Sequence, residues 1–169
     1  MDTLEAILSR RSIRMFTGEP VPESSVTILL EAAMSAPSAN NQQPWHFVVV
    51  KDRVMLNKIP EFHPYSDMLR QAPLAIAVCA DLQAELSEGL WIQDCSAATQ
   101  NILLAAHAMG LGAVWLGVYP ISERVTGLHQ LLGLPEHIVP LSLVCVGYPA
   151  EKKYPANRFD SSRIHHNHW

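Results

Sequence analysis

Charge of either sign is scarce in this 169-residue chain: Lys, Arg, Asp and Glu together make up 17%, too few for a disordered, solvated tail. The formal net charge of −4 carries no basic excess, which argues against nucleic acid as a partner. Cysteine is limited to Cys79, Cys95 and Cys145, with no C-x-x-C spacing, so neither a disulfide framework nor a cysteine zinc site is supported and buried free thiols are expected. Long uninterrupted apolar runs are missing too. The nearest approach, residues 90–109, is broken by Gln93, Asp94, Gln100, Asn101 and His107, which would be costly in lipid. "MDTLEAILSRRSIR" lacks the basic and apolar regions of a secretory signal, so a cytoplasmic protein is expected. P-loop, G-x-S-x-G and G-x-G-x-x-G patterns are all absent, "GLGAVWLG" having the wrong glycine spacing for the last.

What is present is apolar. Hydrophobic residues reach 49%, more than a chain so poor in charge can hide alone, and this points to one domain that buries part of its surface against another subunit. Asp2 and Glu5 form a capping-box pattern for a short helix ending near Arg10. Pro22 opens a second helix whose Val26, Leu29, Leu30 and Ala33 share a face, and Pro37 forbids its continuation. "WHFVVV" (45–50) and "LAIAVC" (74–79) predict strands covered on both faces. Residues 90–109 predict a helix buried nearly all round and shared with a second subunit. A strand over 113–119, a helix from Ser122 and a strand from Ile138 follow, giving an α/β or α+β class. The tail from 150 is polar with scattered aromatics.

Two stretches carry chemistry. Arg10, Arg11 and Arg14 with Ser12 gather three cations and a hydroxyl within five residues, suited to an anionic phosphate; the other reading is a solvated basic face at a helix C-terminus. "SANNQQPW" (38–45) places four uncharged amides before a strand, matching a neutral heteroaromatic ring edge that both donates and accepts; the other reading is a plain loop.

Taken with their order and spacing, "RRSIR" (10–14), "APSANNQQPW" (36–45), "GLGAVWLG" (110–117) and "NRF" (157–159) resemble the FMN-dependent nitroreductase family. The resemblance implies an α+β sandwich in which helices flank a mixed central sheet, a single domain over 1–169, and an intertwined homodimer whose tail (150–169) wraps the partner. It implies FMN at the dimer interface. Arg10, Ser12, Arg11 and Arg158 would hold the phosphate, and Arg14 the N1 and O2 edge of the flavin. Leu116 and Gly117 would bring a backbone N–H to N5, while Pro37, Ser38, Ala39, Asn40 and Gln42 would come from the other subunit. No side chain would be catalytic and no metal is implied: the flavin N5 carries hydride.

The activity so implied is ping-pong transfer from NAD(P)H to a nitroaromatic, quinone or similar small-molecule acceptor. A non-catalytic FMN-binding sensor dimer and specialised flavin chemistry, such as reductive dehalogenation or ring fragmentation, are the alternatives. Phe62, His63, Tyr65 and Trp91 are candidate pocket linings, though packing is the plainer role for aromatics at such spacing. His165, His166 and His168 invite a metal, but a chain end is poorly suited to fixing ligand geometry, and His46 reads as a loop or core histidine.

Overall fold

A computed structural model describes residues 1–169, and four strands form its centre. These are β1 (Trp45–Val50), β2 (Leu74–Asp81), β3 (Gly112–Gly117) and β4 (Ile138–Gly147), in the spatial order β1-β2-β4-β3. Every neighbouring pair is antiparallel. The mixed sheet expected above is therefore corrected: parallel pairing is confined to one isolated bridge between Ser12 and Ala113. The consecutive strands β1 and β2, and likewise β3 and β4, are antiparallel neighbours despite the helical segments between them, and only the connection from β2 to β3 joins strands that are not adjacent.

Helices α2 (Glu23–Met34) and α4 (Trp91–Ala108) cover one face, and α3 (Arg53–Lys58) with α5 (Ser122–Leu132) cover the other. Strand pleating sorts β2 between the two layers. Leu74, Ile76, Val78 and Ala80 join the α2/α4 core, while Ala75, Ala77 and Cys79 join the α3/α5 core. All three cysteines are buried free thiols, with Cys79 and Cys95 raised to about 12 by burial and Cys145 raised further still. No helix is long and apolar enough to cross a membrane.

One burial expectation needs correcting. β2 and β4 are covered on both faces, but β1 is an edge strand with His46 exposed and Phe47, Val48 and Val49 half-buried. A continuous apolar run does not distinguish an edge from a centre. Within the single chain, helix α4 buries Cys95, Ala98, Ile102 and Ala106, and Ser96, Ala97, Gln100 and Leu104 are half-covered, the side left for the second subunit with which this helix is expected to be shared.

Helix α1 (Thr3–Ser9) is capped by the Asp2 carboxylate, which accepts from the Glu5 amide at 2.9 Å, and it ends at Arg10 as its first residues predict. The following arm, 10–16, then runs beside β3. Ile13 N donates to Ala113 O at 3.0 Å, and a Cβ on Gly112 would come within 2.7 Å of Ile13. The tail closes over the arm: Ala150 N donates to Met15 O at 2.8 Å and Lys153 Nζ to Ser12 O at 2.9 Å.

Candidate active site

Parallel pairing of Ser12 with Ala113 decides where the basic residues go. Two residues further along, Arg14 reaches the end of β3, and there it lines an open cleft of about 460 Å³ together with Trp115, Leu116 and Gly117. At the other end of the arm, Arg10 and Arg11 meet Arg158 of the tail around a small cavity of about 120 Å³, also lined by Ile7, Leu8 and Ala156. Residues 148 positions apart in sequence thus converge as one cationic cluster.

That cluster lacks an internal counter-charge. Arg10 Nη1 is buried with no hydrogen-bond partner. Burial first, then the like charges of Arg158 and Arg11, lower its pKa from the ordinary guanidinium range. Three cations that depress one of their own number and leave a buried N–H unmet fit a polyanionic group such as a phosphate. Arg11 is anchored by donating from Nη1 to Tyr154 O at 2.7 Å. Glu151 accepts from the Arg14 amide at 2.5 Å and the Met15 amide at 3.2 Å, and Lys153 stands 3.2 Å from it.

In the cleft, Gly117 is fixed from two sides. Its carbonyl accepts from His63 Nε2 at 3.0 Å and from Arg124 Nη1 at 2.8 Å. The bond to Gly117 requires the Nε2–H tautomer of His63, whose buried Nδ1 has no partner. Burial chiefly, and also Arg124, lower the His63 pKa against the opposing effect of the Gly117 bond, so the ring is neutral near pH 7. Above Gly117 lies open space: a Cβ built there meets nothing within 4 Å. An exposed glycine at a strand end, held from beneath and uncovered above, suits close approach of a flat ligand.

The amide loop lies apart from both cavities. Its Asn40, Asn41 and Gln43 take left-handed backbone conformations, with φ of 49°, 53° and 46°. Such conformations cost energy for Gln in particular and persist only when surroundings impose them. Asp94, in the first turn of α4, imposes them. It accepts from the Ala39 amide at 2.9 Å and from Gln42 Nε2 at 2.6 Å, while Gln42 Oε1 accepts from the amides of Leu86 at 2.8 Å and Ser87 at 3.2 Å.

Within this chain Gln42 supports the loop: it is buried and both ends of its amide are engaged. Pro37, Ser38, Ala39 and Asn40 remain at the surface or half-buried, on a part of the chain that lines neither cavity. His63 and Tyr65 line the cleft as expected, but Phe62 packs beneath Gly127, and Trp91 is buried edge-on to Tyr119 at 4.9 Å. Arg124 escaped sequence reading, because one arginine in the first turn of an amphipathic helix looks like any solvated charge. No group of His, Cys, Asp and Glu is placed to hold a metal.

An arm of arginines beside an open glycine at the end of a sheet suits an anionic ligand with a flat ring, and sequence comparison places the chain among proteins that use one. The Nitroreductase family model matches residues 7–63 and 58–148, and the chain belongs to that family. A Methanothermobacter thermautotrophicus protein with the provisional name NADH dehydrogenase/NAD(P)H nitroreductase is 54% identical over 169 residues, covering 100% of this chain and 88% of its own. A Parabacteroides distasonis crystal structure bearing the same provisional name superposes with a TM-score of 0.95 at 45% identity, covering 99% and 98% of the two chains. A Desulfovibrio desulfuricans structure, provisionally a nitroreductase and in complex with FMN, gives a TM-score of 0.86 at 33% identity, covering 100% and 99%.

Proposed function

We propose that this chain is an NAD(P)H-dependent oxidoreductase that binds FMN and works as a cytoplasmic homodimer. The observation that carries the proposal is Arg10 Nη1, buried and unpartnered among three arginines. Arg10, Arg11 and Arg158, with the Ser12 hydroxyl, hold the phosphate, and Arg14 lies toward the N1 and O2 edge of the isoalloxazine ring. Leu116 and Gly117 offer backbone to the N5 side, where the space above Gly117 is free. Bound FMN supplies the redox chemistry, taking hydride from NAD(P)H and returning reducing equivalents to a nitroaromatic, quinone or similar small acceptor.

The protein's own groups do the rest. A guanidinium at Arg14 favours negative charge on the ring edge it faces and so favours reduction. His63 and Arg124 hold the Gly117 carbonyl, which keeps this stretch of backbone from moving as ligands exchange. The strained loop at 38–43, held rigid by Asp94, is presented outward, and in the proposed dimer its Pro37, Ser38, Ala39 and Asn40 reach the partner's cofactor. The tail beyond Ala156, exposed throughout with Arg158 reaching the cationic cavity, wraps the partner.

Absorbance of the purified protein, titration with FMN, and anaerobic addition of NADH and NADPH test this directly. A flavin spectrum that bleaches on addition of reductant is expected. A protein that stays colourless and takes up no FMN overturns the proposal, and a flavin-loaded monomer in ultracentrifugation overturns its shared site.

A further inference from the structure

The cleft beside Gly117 carries more positive charge than the cofactor site just proposed employs. Arg14 is committed to the flavin edge, but Arg124 is not. Leaving the first turn of α5, Arg124 donates a single Nη1–H to the Gly117 carbonyl, and its guanidinium carbon lies 5.3 Å from the centroid of the Tyr65 ring. Neither this bond nor the ring neutralises it.

Asp67 is the one acid lining the cleft, and its Oδ1 is taken by Arg70 Nε at 2.8 Å. His63, held neutral, adds no charge of either sign. Arg124 thus has most of its five N–H groups unspent, in an orientation fixed by the Gly117 bond. Beside it, Tyr65 is 68% exposed, far more than an aromatic used for packing, and Trp115 lines the same space. A pinned cation next to an uncovered ring recognises a flat molecule bearing a negative group.

We infer that Arg124 and Tyr65 form an anion-reading substrate subsite of this enzyme, taking an aromatic ring that carries a carboxylate or phosphate. The inference rests on the flavoenzyme reading above. The same chemistry is found in an aromatic carboxylate acceptor and in the phosphates of a nicotinamide dinucleotide, and the two sources separate by experiment.

FMN-loaded protein is titrated with benzoate and with benzamide, following flavin absorbance and heat. Benzoate is expected to bind about tenfold tighter, with an advantage that shrinks as salt rises. Arg124→Gln, whose amide still offers an N–H toward the Gly117 carbonyl, is expected to bring benzoate down to the benzamide level. Tyr65→Leu, which leaves the Gly117 anchor intact, is expected to weaken both ligands alike. In a second arm, single-turnover reduction is compared with NADPH and NADH. If Arg124→Gln abolishes a preference for NADPH while benzoate and benzamide bind the wild type equally, the subsite reads the dinucleotide.

Equal binding of benzoate and benzamide together with equal use of the two dinucleotides overturns the inference, as does a parallel loss of all four in Arg124→Gln. A yellow protein that is bleached by NAD(P)H but blind to ligand charge defeats this inference alone. A colourless protein defeats the reading beneath it.

Discussion

Gln42 and Asp94 meet in the protein interior, the amide nitrogen 2.6 Å from the carboxylate, although 52 residues separate them in the chain. This contact ties the amide loop to the start of the longest helix, and Gln42 passes the tie on to the backbone of Leu86 and Ser87.

Asp94→Ala is expected to destabilise the fold by roughly 2 kcal/mol, because it strands the Gln42 amide and the Ala39 N–H without an acceptor. Asn40→Gly, at an exposed position whose left-handed backbone glycine adopts freely, should stay within about 0.5 kcal/mol of wild type. Urea unfolding of the two variants checks the contrast. Similar losses in both would show that the buried contact is not what holds the loop.

Two glycines of β3 should respond in opposite ways to the same change. Gly112→Ala drives a Cβ to 2.7 Å from Ile13, so overpacking of about 1–3 kcal/mol is expected in the thermal melt. Gly117→Ala meets only open space, so stability should hold while FMN affinity falls by about tenfold, because the added methyl occupies room reserved for the ligand. Unchanged FMN titration of Gly117→Ala would count against a cofactor over this residue.

Arg10→Ala should weaken FMN binding by more than about 1.5 kcal/mol, the range for losing a hydrogen bond to a charged group. Fluorescence titration against wild type measures it. An affinity equal to wild type would remove Arg10 from the phosphate site.

Acid should weaken the fold through His63. Its folded pKa lies below the ordinary imidazole value near 6.5, so below that value the unfolded chain binds a proton that the folded chain refuses. Stability contributed by the neutral ring is complete above the unfolded pKa and is lost as pH falls toward the folded one. His63→Gln keeps a donor for the Gly117 carbonyl and removes the titration, so its melting temperature should fall less steeply from pH 7 to 5. His107, also lowered by burial and by Arg10, leaves some slope in both proteins.

Glu151 works at lower pH. The Arg14 amide above all, with Lys153 and the Met15 amide, holds its pKa below the usual carboxylate value. The tie it provides is complete above the ordinary carboxylate range and is lost as pH falls through the lowered value. Hydrogen exchange at the Arg14 and Met15 amides should accelerate in Glu151→Gln already at pH 7. Equal protection in the two proteins would show that the tail does not clasp the arm.

Sequence periodicity served well where one physical cause dominated. Pro22 and Pro37 mark helix ends that the structure keeps, and the apolar run from Ile138 to Gly147 is a central strand. Edge and centre were not separable for β1, since Val48 and Val49 look as apolar as any core strand and only pairing shows that one side has no neighbour. The arginines of the arm were legible because three cations in five residues are rare in an acidic chain. The supporting role of Gln42 was not legible, because an amide suits a ligand and a buried carboxylate equally, and its partner Asp94 lies 52 residues away. Arg124 gave no local sign, as its meaning depends on Gly117 and Tyr65, which other elements supply.

Helix α4 is dressed on one side only, with Ser96, Ala97, Gln100 and Leu104 partly bare. In the dimeric arrangement proposed here, completing that coat and completing the fold are a single equilibrium. Its melting point would then climb with protein concentration, as for any obligate pair, and a solitary chain would have no well-defined stability of its own.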